Sequence, residues 1–503
     1  MAGTLLQLGP FKGGLNNASD PTNINDAELA VAQNWDYDVD GTLISRPAIV
    51  TDSSTGPAAS QNTDFLGYFT DSATGTTYLI ASTATQIWFR SSGAWTSITT
   101  GFKASAATQY LDKMWIVAEP GSASNGGSWS PSGGFATVAT MPKGTAITTF
   151  KDRLWIAAGK LEQTNGSRLY FSAIADGTTW NGADFIDVNK GDGQKLVDLY
   201  SLSTNLYLFK DNSTYVLQYD SSPSKGVVNA VSKTIGVADI RCVVQYENIL
   251  YLFHGGYLYE LINYSFNKVN IRTNITANAS GTYFRNIHVS QVGNRIIVFY
   301  YGNTYVFYLF TRTWSKWTAI VPVSKLWAVP GSASGAIPQA YSVASNTSSD
   351  RTTYTLNDGY SSVWTESGVH SRFETKIYDF HAPNLFKKLY WWGIDALTVG
   401  QVDTQVVPVL YNFAETWTQM SAFTWGQLLT NTWARPSETD ISVRESLMTV
   451  GSVRKFLKLL KTVRFRNVYF VMDATISDWA NPTRVYSVTA SVNMKEQVAK
   501  TIN

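Results

Sequence analysis

The chain has 503 residues, of which 44% are hydrophobic and 15% charged, and its formal net charge is +2. That balance excludes a strong whole-molecule attraction to nucleic acid or to a membrane surface, and one cysteine, Cys242, excludes an internal disulfide or a Cys-rich metal cluster. No apolar stretch approaches the roughly 18 residues that span a bilayer, so no stable membrane insertion is expected. Aromatics at 14% and 37 glycines favour sheets joined by many tight turns.

Residues 1–50 form a leader with a pattern of its own. Gly13-Gly14-Leu15-Asn16-Asn17 reads as a turn, and Ile24 to Ala30 as one or two helical turns with Asp26 at the N-cap. Trp35 to Arg46 predicts a hairpin with Asp40-Gly41 at its bend. The run Asp36-Tyr37-Asp38-Val39-Asp40-Gly41 matches the first half of a calcium loop. The twelfth position, which must supply a bidentate Glu, is Pro47, so the hairpin is the better reading. Leu15, Leu29, Trp35 and Leu43 require burial, which places the leader against the body. The first residues lack the basic start and apolar run of a signal peptide, so synthesis in a cytoplasm is expected.

Over 51–365 a short strand motif recurs seven times. Its copies are Tyr78-Leu79-Ile80, Trp115-Ile116-Val117, Trp155-Ile156-Ala157, Tyr207-Leu208-Phe209, Tyr251-Leu252-Phe253, Ile297-Val298-Phe299 and Tyr341-Ser342-Val343. The spacing of about 37 to 52 residues is that of a four-stranded propeller blade. Polar pairs suited to turns precede most copies, among them Asp112-Lys113, Asp152-Arg153, Thr204-Asn205, Glu247-Asn248 and Gly293-Asn294. A second strand follows most of them, as at Ile87-Trp88-Phe89, Leu169-Tyr170-Phe171 and Tyr305-Val306-Phe307. One such unit cannot bury both its faces, so the units must stack round an axis. The fold class is therefore all-β, a propeller of six or seven blades. The Ser/Gly-rich stretches Gly121–Gly134 and Gly331–Gly335 read as blade-edge loops, and Cys242 as a buried strand position.

From 366 to 503 the repeat fades and longer strands are expected at Phe386–Trp392, Val402–Tyr411 and Val463–Met472, which together predict a β-sandwich-like domain. One helix is expected near Val453–Lys461. The region beyond His370 carries 15 Lys/Arg against 11 Asp/Glu. Its densest run, Arg454, Lys455, Lys458, Lys461, Arg464 and Arg466, is interleaved with apolar residues. It reads either as a solvated face over a packed one or as a basic patch meeting an acidic subunit or passing DNA phosphates.

No catalytic constellation is legible. Ser172 to Trp180 is similar to the Asp-box of sialidase propellers, but Asp176 and Gly177 are adjacent, where that motif separates them, and an Asp-box is a structural turn in any case. A glycosidase needs two carboxyls facing one pocket, and Asp176, Asp184, Asp187 and Asp192 are candidates by proximity alone. His254, His288, His370 and His381 lack metal-ligand spacing. No metal and no cofactor is expected.

The leader also carries a resemblance. Gly13, Gly14, Leu15 and Asn16, then Asp26-Ala27-Glu28, then Asn34-Trp35-Asp36, then Gly41 and Arg46-Pro47, look like the opening of tailed-bacteriophage virion proteins. In particular the chain resembles the tail tubular protein B, or nozzle, family of short-tailed phages. Lys151 to Trp155, Leu169 to Trp180 and Arg464 to Phe470 extend the resemblance over the propeller and the C-terminal domain. It implies a structural protein of the virion tail and not an enzyme. It further implies a hexameric ring below the portal and adaptor rings, through which DNA passes transiently, with tail fibres or spikes attached. The rival expectation is a propeller enzyme or receptor-binding module acting on host-surface glycans.

Overall fold

The computed structural model describes residues 4–53, 65–276, 287–318, 369–380 and 387–409, with short breaks at 84–85, 92–93, 160–161, 163, 220–221, 224–225 and 398–400. It also describes the strands Trp327–Val329, Gln339–Val343, Thr353–Leu356, Val443–Met448, Lys455–Leu459, Val463–Phe465 and Asn467–Thr475, and residues 482–494. Among the described residues every regular element of more than one turn is a strand.

Four-stranded antiparallel sheets fill 65–100, 104–137, 146–187, 196–232, 243–268 and 287–317, each a meander in chain order. A seventh is built from Trp327–Val329, Gln339–Val343 and Thr353–Leu356, and its outer strand is Ile49–Ser53 from the leader. The first strand of each sheet lies innermost. Strand Phe65–Thr70 neighbours both Ala104–Tyr110 and Trp327–Val329, so the ring closes. Between the fourth and fifth blades the seam is a shared core of Val197, Phe209, Val243 and Leu252. The protein is a seven-bladed β-propeller, and the leader supplies the strand that completes the last blade.

All seven recurring motifs are the second strand of a blade. That position is covered by strands on both edges and by blades on both faces, which is why it reads as a continuous apolar run. Leu154, Ile156 and Ala157 are fully buried, as are Leu206, Leu208 and Phe209. The turns before these strands fall at Glu247-Asn248 and Gly293-Asn294, as the polar pairs predict. They fall one residue earlier at Leu111-Asp112, Lys151-Asp152 and Ser203-Thr204. Two-residue hairpin turns that match strand twist need positive φ at the central residues, and Leu111 (49°), Asp112 (54°), Lys151 (47°) and Asp152 (52°) all adopt it.

Two loop or helix expectations give way to strands. The stretch Gly121–Gly134 contains the third strand of the second blade, Gly127–Ser130, with Trp129 buried. Its glycines hide it from a hydrophobicity pattern, yet a Cβ on Gly127 would lie 2.1 Å from the Ala136 carbonyl oxygen across the sheet. The helix expected at Val453–Lys461 is instead the strand Lys455–Leu459, paired with Lys387–Leu397; pairing along a sheet edge overrides the local helical preference. Gly331–Gly335 lies outside the described residues.

Beyond the propeller stand two further sheets. One orders Glu28–Gln33, His370–Thr375, Asn467–Thr475, Gln401–Val409 and Val443–Met448 and continues, through the pair Gln33–Lys316, into the outer strand of the sixth blade. The other orders Lys455–Leu459, Lys387–Leu397, Arg484–Met494, Leu43–Ser45 and Trp35–Tyr37, with Thr4–Leu8 also on Arg484–Met494. Phe373, Val468, Phe470 and Met472 from the first sheet share one core with Leu389, Trp392, Ile394 and Val488 from the second, which makes the sandwich. The stretch expected as one strand at Val463–Met472 is two, in different sheets: Val463–Phe465 pairs with Lys387–Leu389 and Asn467–Thr475 with His370–Glu374.

The leader is therefore not a layer resting on the body. It contributes strands to both sandwich sheets and to the seventh blade, and Leu15, Leu29, Trp35 and Leu43 are each 4% exposed or less.

Leu111 is 54% exposed and left-handed, so little packing is lost by changing it. Replacing Leu111-Asp112 with Asn-Gly should raise unfolding stability by about 1 kcal/mol, because left-handed backbone costs a branched residue that much or more. Urea denaturation of the double variant measures this, and an unchanged or lower midpoint would contradict the turn assignment.

Candidate functional site at the leader junction

The leader residues singled out by sequence come together where the leader, the sixth blade and the sandwich meet. Gly14 has φ of +67°, and a Cβ there would sit 2.6 Å from Thr313 Cβ on the sixth blade, so the chain can pass only as glycine. At Gly13 a Cβ would lie 2.3 Å from Glu28 Cγ. The Leu15 carbonyl accepts from Thr273 Oγ1 (2.9 Å), and the Asn16 amide donates to Glu28 Oε2 (2.9 Å). Glu28 also receives Asn25 N (2.8 Å) and pairs with Arg272. Asp26 pairs with Lys376 and lies in a turn, where no helix starts. The helical turn expected at Ile24–Ala30 is accordingly a tight turn closed by Glu28 N to Asn25 O (3.0 Å), and it leads into strand Glu28–Gln33.

Asn34 is the centre of the junction. It is fully buried and left-handed (φ 59°), a conformation Asn tolerates better than most residues. Its Nδ2 donates to Thr318 Oγ1 and to the His370 carbonyl (2.7 Å each), and its Oδ1 accepts Thr318 N (2.8 Å) and Arg46 Nε (3.2 Å). Its backbone binds Lys316 O, Arg46 N and Ser371 Oγ. Arg46, 1% exposed, donates to the Pro47 carbonyl (2.9 Å) and the Thr318 carbonyl (3.2 Å) and lies over the Trp317 ring.

Two residues on, Asp36 accepts Arg295 (2.6 Å) and the Tyr308 hydroxyl, both from the sixth blade. Burial, then the Asp36 charge, pushes the Tyr308 phenol far up, so it stays a neutral donor. Gly41, at φ of +88°, closes the hairpin bend, and Asp38 and Asp40 cap that bend through Val39 N and Thr42 N. All three carboxylates of the calcium-like run are thus committed to the hairpin or the sixth blade.

The other candidates stand apart. Lys455 and Lys458 occupy the strand at the edge of the second sandwich sheet, and Arg464 the short strand beside Lys388. Arg454, Lys461, Arg466 and His381 lie outside the described residues.

Asp176 caps its own loop through Thr178, and these bonds hold its carboxyl at about 2, far below a proton donor's range. Gly177 in that loop abuts the Trp115 ring of the second blade. Asp187 pairs with Arg168, and Asp192 with the fully buried Lys210. Asp184 N donates to the Asn181 carbonyl in the same loop. The carboxyls of Asp176, Asp187 and Asp192 serve separate turns and pairs, and no group of three or more metal-ligating side chains forms among the described residues. His254 is half-buried, His288 bonds Ser290 Oγ (2.7 Å), and His370 gives its carbonyl to Asn34.

Sequence reasoning missed Asp198. It sits at a bulge on the inner strand of the fourth blade, buried, accepting its own neighbour's Leu199 N (2.8 Å). Burial, with the Asp239 charge adding to it, pushes its carboxyl well up. Its strand neighbours are apolar, so only the charge itself, in Leu196-Val197-Asp198-Leu199, marked it.

No family model and no curated protein matches this chain. Solved structures do. One is PorZ of the type-IX secretion system of Porphyromonas gingivalis (TM-score 0.41, 11% identity, 66% of this chain and 43% of that one). Others are BBS1N in complex with ARL6DN (0.38, 13%, 62% and 98%) and the Neurospora crassa Pan2 WD40 domain (0.40, 11%, 64% and 98%). The chain thus covers less than half the length of PorZ.

Two outcomes follow from the site. Removing one partner of a buried ion pair costs about 3–5 kcal/mol, so Asp36→Ala should lose that much in urea unfolding, against under 1 kcal/mol for the exposed Asp40→Ala; equal losses would contradict the junction. For Asp198 the sign is opposite to a paired carboxylate. A raised folded pKa gives stability that is full below the unfolded value of about 3.9 and falls as pH rises through the folded value. Asp198→Asn should therefore match the parent near pH 4 and melt higher at pH 7, and a variant that melts lower at pH 7 would contradict this.

Proposed function

We propose that the chain is a structural subunit of a short bacteriophage tail, a nozzle or tail-tube component, and not an enzyme. In this reading copies assemble as a hexameric ring under the portal and adaptor rings, DNA passes through transiently during ejection, and fibres or spikes attach to the outside. The observation that carries the reading is where the resembling residues lie. Asn34, Asp36, Arg46, Gly14 and Glu28 are the residues that lock propeller to sandwich, so the resemblance concerns how the body is built. The commitment of Asp176, Asp187 and Asp192 to local partners supports a non-enzymatic role over the glycan-cleaving alternative. The resemblance itself rests on sequence alone.

A conduit also has to avoid holding DNA, since each neutralised phosphate strengthens binding, and the net charge of +2 suits that. Negative-stain microscopy with mass photometry of the purified chain tests the proposal. Rings of six copies with an open lumen are expected. A chain that stays monomeric at micromolar concentration and binds or cleaves host-surface glycans would overturn it in favour of the receptor-binding or enzymatic alternative.

A further inference from the structure

The dipeptide Asn-Gly occurs three times, at Asn125-Gly126, Asn165-Gly166 and Asn181-Gly182. Such a step is chemically unstable when the chain is free to turn back on itself. The glycine nitrogen, which no Cβ shields, can bond to the asparagine side-chain carbon and close a cyclic imide. The sequence makes the three steps equal, and the structure makes them unequal.

Closing the imide brings the asparagine carboxamide against the glycine nitrogen, so the peptide between the two residues has to rotate. At Gly126 it is pinned. This glycine is buried, its carbonyl accepts Val138 N (3.0 Å), and a Cβ there would lie 2.2 Å from the Ile116 carbonyl oxygen. The Asn125 amide is itself tied to the Ala139 carbonyl (2.5 Å). Gly166 is buried too. Its carbonyl accepts Leu196 N (2.8 Å), and Lys195 Cγ and Cδ lie 2.7 Å from where a Cβ would stand.

The third step differs on each count. Asn181 and Gly182 are both exposed, in the loop between the third and fourth strands of the third blade. A Cβ on Gly182 would meet nothing within 4 Å, and among the described residues neither its N–H nor its carbonyl is hydrogen-bonded. Asn181 Oδ1 accepts Ala183 N (3.3 Å), which folds the carboxamide back along the main chain toward Gly182 N. A donor on that oxygen also stabilises the charge that builds there when the carbon is attacked.

We infer that Asn181 is a site of spontaneous modification, where the folded chain converts its own asparagine to aspartate and isoaspartate. Gly182 N bonds to Asn181 Cγ, the Cγ–Nδ2 bond breaks, and ammonia leaves with the proton the glycine nitrogen gave up. One water then opens the imide, at Cγ to give aspartate or at the main-chain carbonyl to give isoaspartate. Either product adds a negative charge to a loop that already carries Asp176 and Asp184. Isoaspartate also routes the main chain through the side-chain carbon, which lengthens the turn that Asp184 N closes on the Asn181 carbonyl (2.9 Å). That turn leads into Phe185–Asp187, the three-residue outer strand of the third blade, so the modification loosens the rim there. The inference stands whether or not the chain is a tail subunit.

Peptide mapping by mass spectrometry tests this on the full folded chain, incubated in mildly alkaline buffer, with Gly182→Ala as the comparison. Gly182 has open space and no positive φ, so alanine keeps the fold while its methyl shields the nitrogen. Conversion at Asn181 should outpace conversion at Asn125 and Asn165 by about tenfold or more, and Gly182→Ala should slow it by about as much. Hydrogen exchange in Phe185–Asp187 should be faster in the converted fraction. Equal rates at the three sites of the folded chain, or a Gly182→Ala variant that converts as fast as the parent, would overturn the proposal. So would an advantage of Asn181 that persists undiminished in the urea-unfolded chain, because it would then owe nothing to the fold.

Discussion

The leader is shared between three bodies, and the rest of the structure depends on that sharing. One continuous segment, residues 4–53, adds Thr4–Leu8 and Leu43–Ser45 to one sandwich sheet and Glu28–Gln33 to the other, then closes the seventh blade with Ile49–Ser53. A propeller closed by its own last strand could fold as a unit and carry the sandwich as an appendage. Here the closing strand enters the ring directly from the sandwich, so neither part has its complete set of strands without the other.

Buried polar groups hold that segment in place, and their chemistry explains why they are tolerated. Burying Arg46, Asp36 and Glu28 is costly unless each hydrogen-bonding position is met. Each finds partners: the Thr318 carbonyl and its own neighbour's Pro47 carbonyl for Arg46, Arg295 and Tyr308 for Asp36, Arg272 and Asn16 for Glu28. For Glu28 burial acts to raise the carboxyl, and the bonds from Asn25, Asn16 and Arg272 outweigh it and leave it lowered. Apolar packing alone would bury the leader. The polar contacts also fix its register, since a slip of one residue would orphan them all.

The blades were legible because the second strand of each is covered on every side, so Trp155 to Ala157 or Tyr207 to Phe209 cannot be other than apolar. Gly127–Ser130 was not legible, because close approach to the next strand demands glycine there and glycine reads as loop. The strand at Lys455 was mistaken for a helix because its partner, Lys387–Leu397, is more than 50 residues away in sequence. The junction was visible as a set of motif residues but not as a site. Asn34 finds Thr318 and His370 at separations of 284 and 336 residues, and nothing local in Asn34-Trp35-Asp36 says which of its neighbours it will bind. Asp198 is illegible for the opposite reason: its strand neighbours are apolar, its hydrogen bond is to its own strand, and the charges that act on it, Asp239 and Arg241, lie some 40 residues further on.

Differential scanning calorimetry of the full chain bears most directly on the claim that leader, propeller and sandwich form one cooperative body. The account predicts a single transition, and predicts that Asn34→Ala lowers it as a whole without splitting it. Two separate transitions in the parent, or a variant in which the sandwich melts early while the propeller keeps its original midpoint, would contradict it.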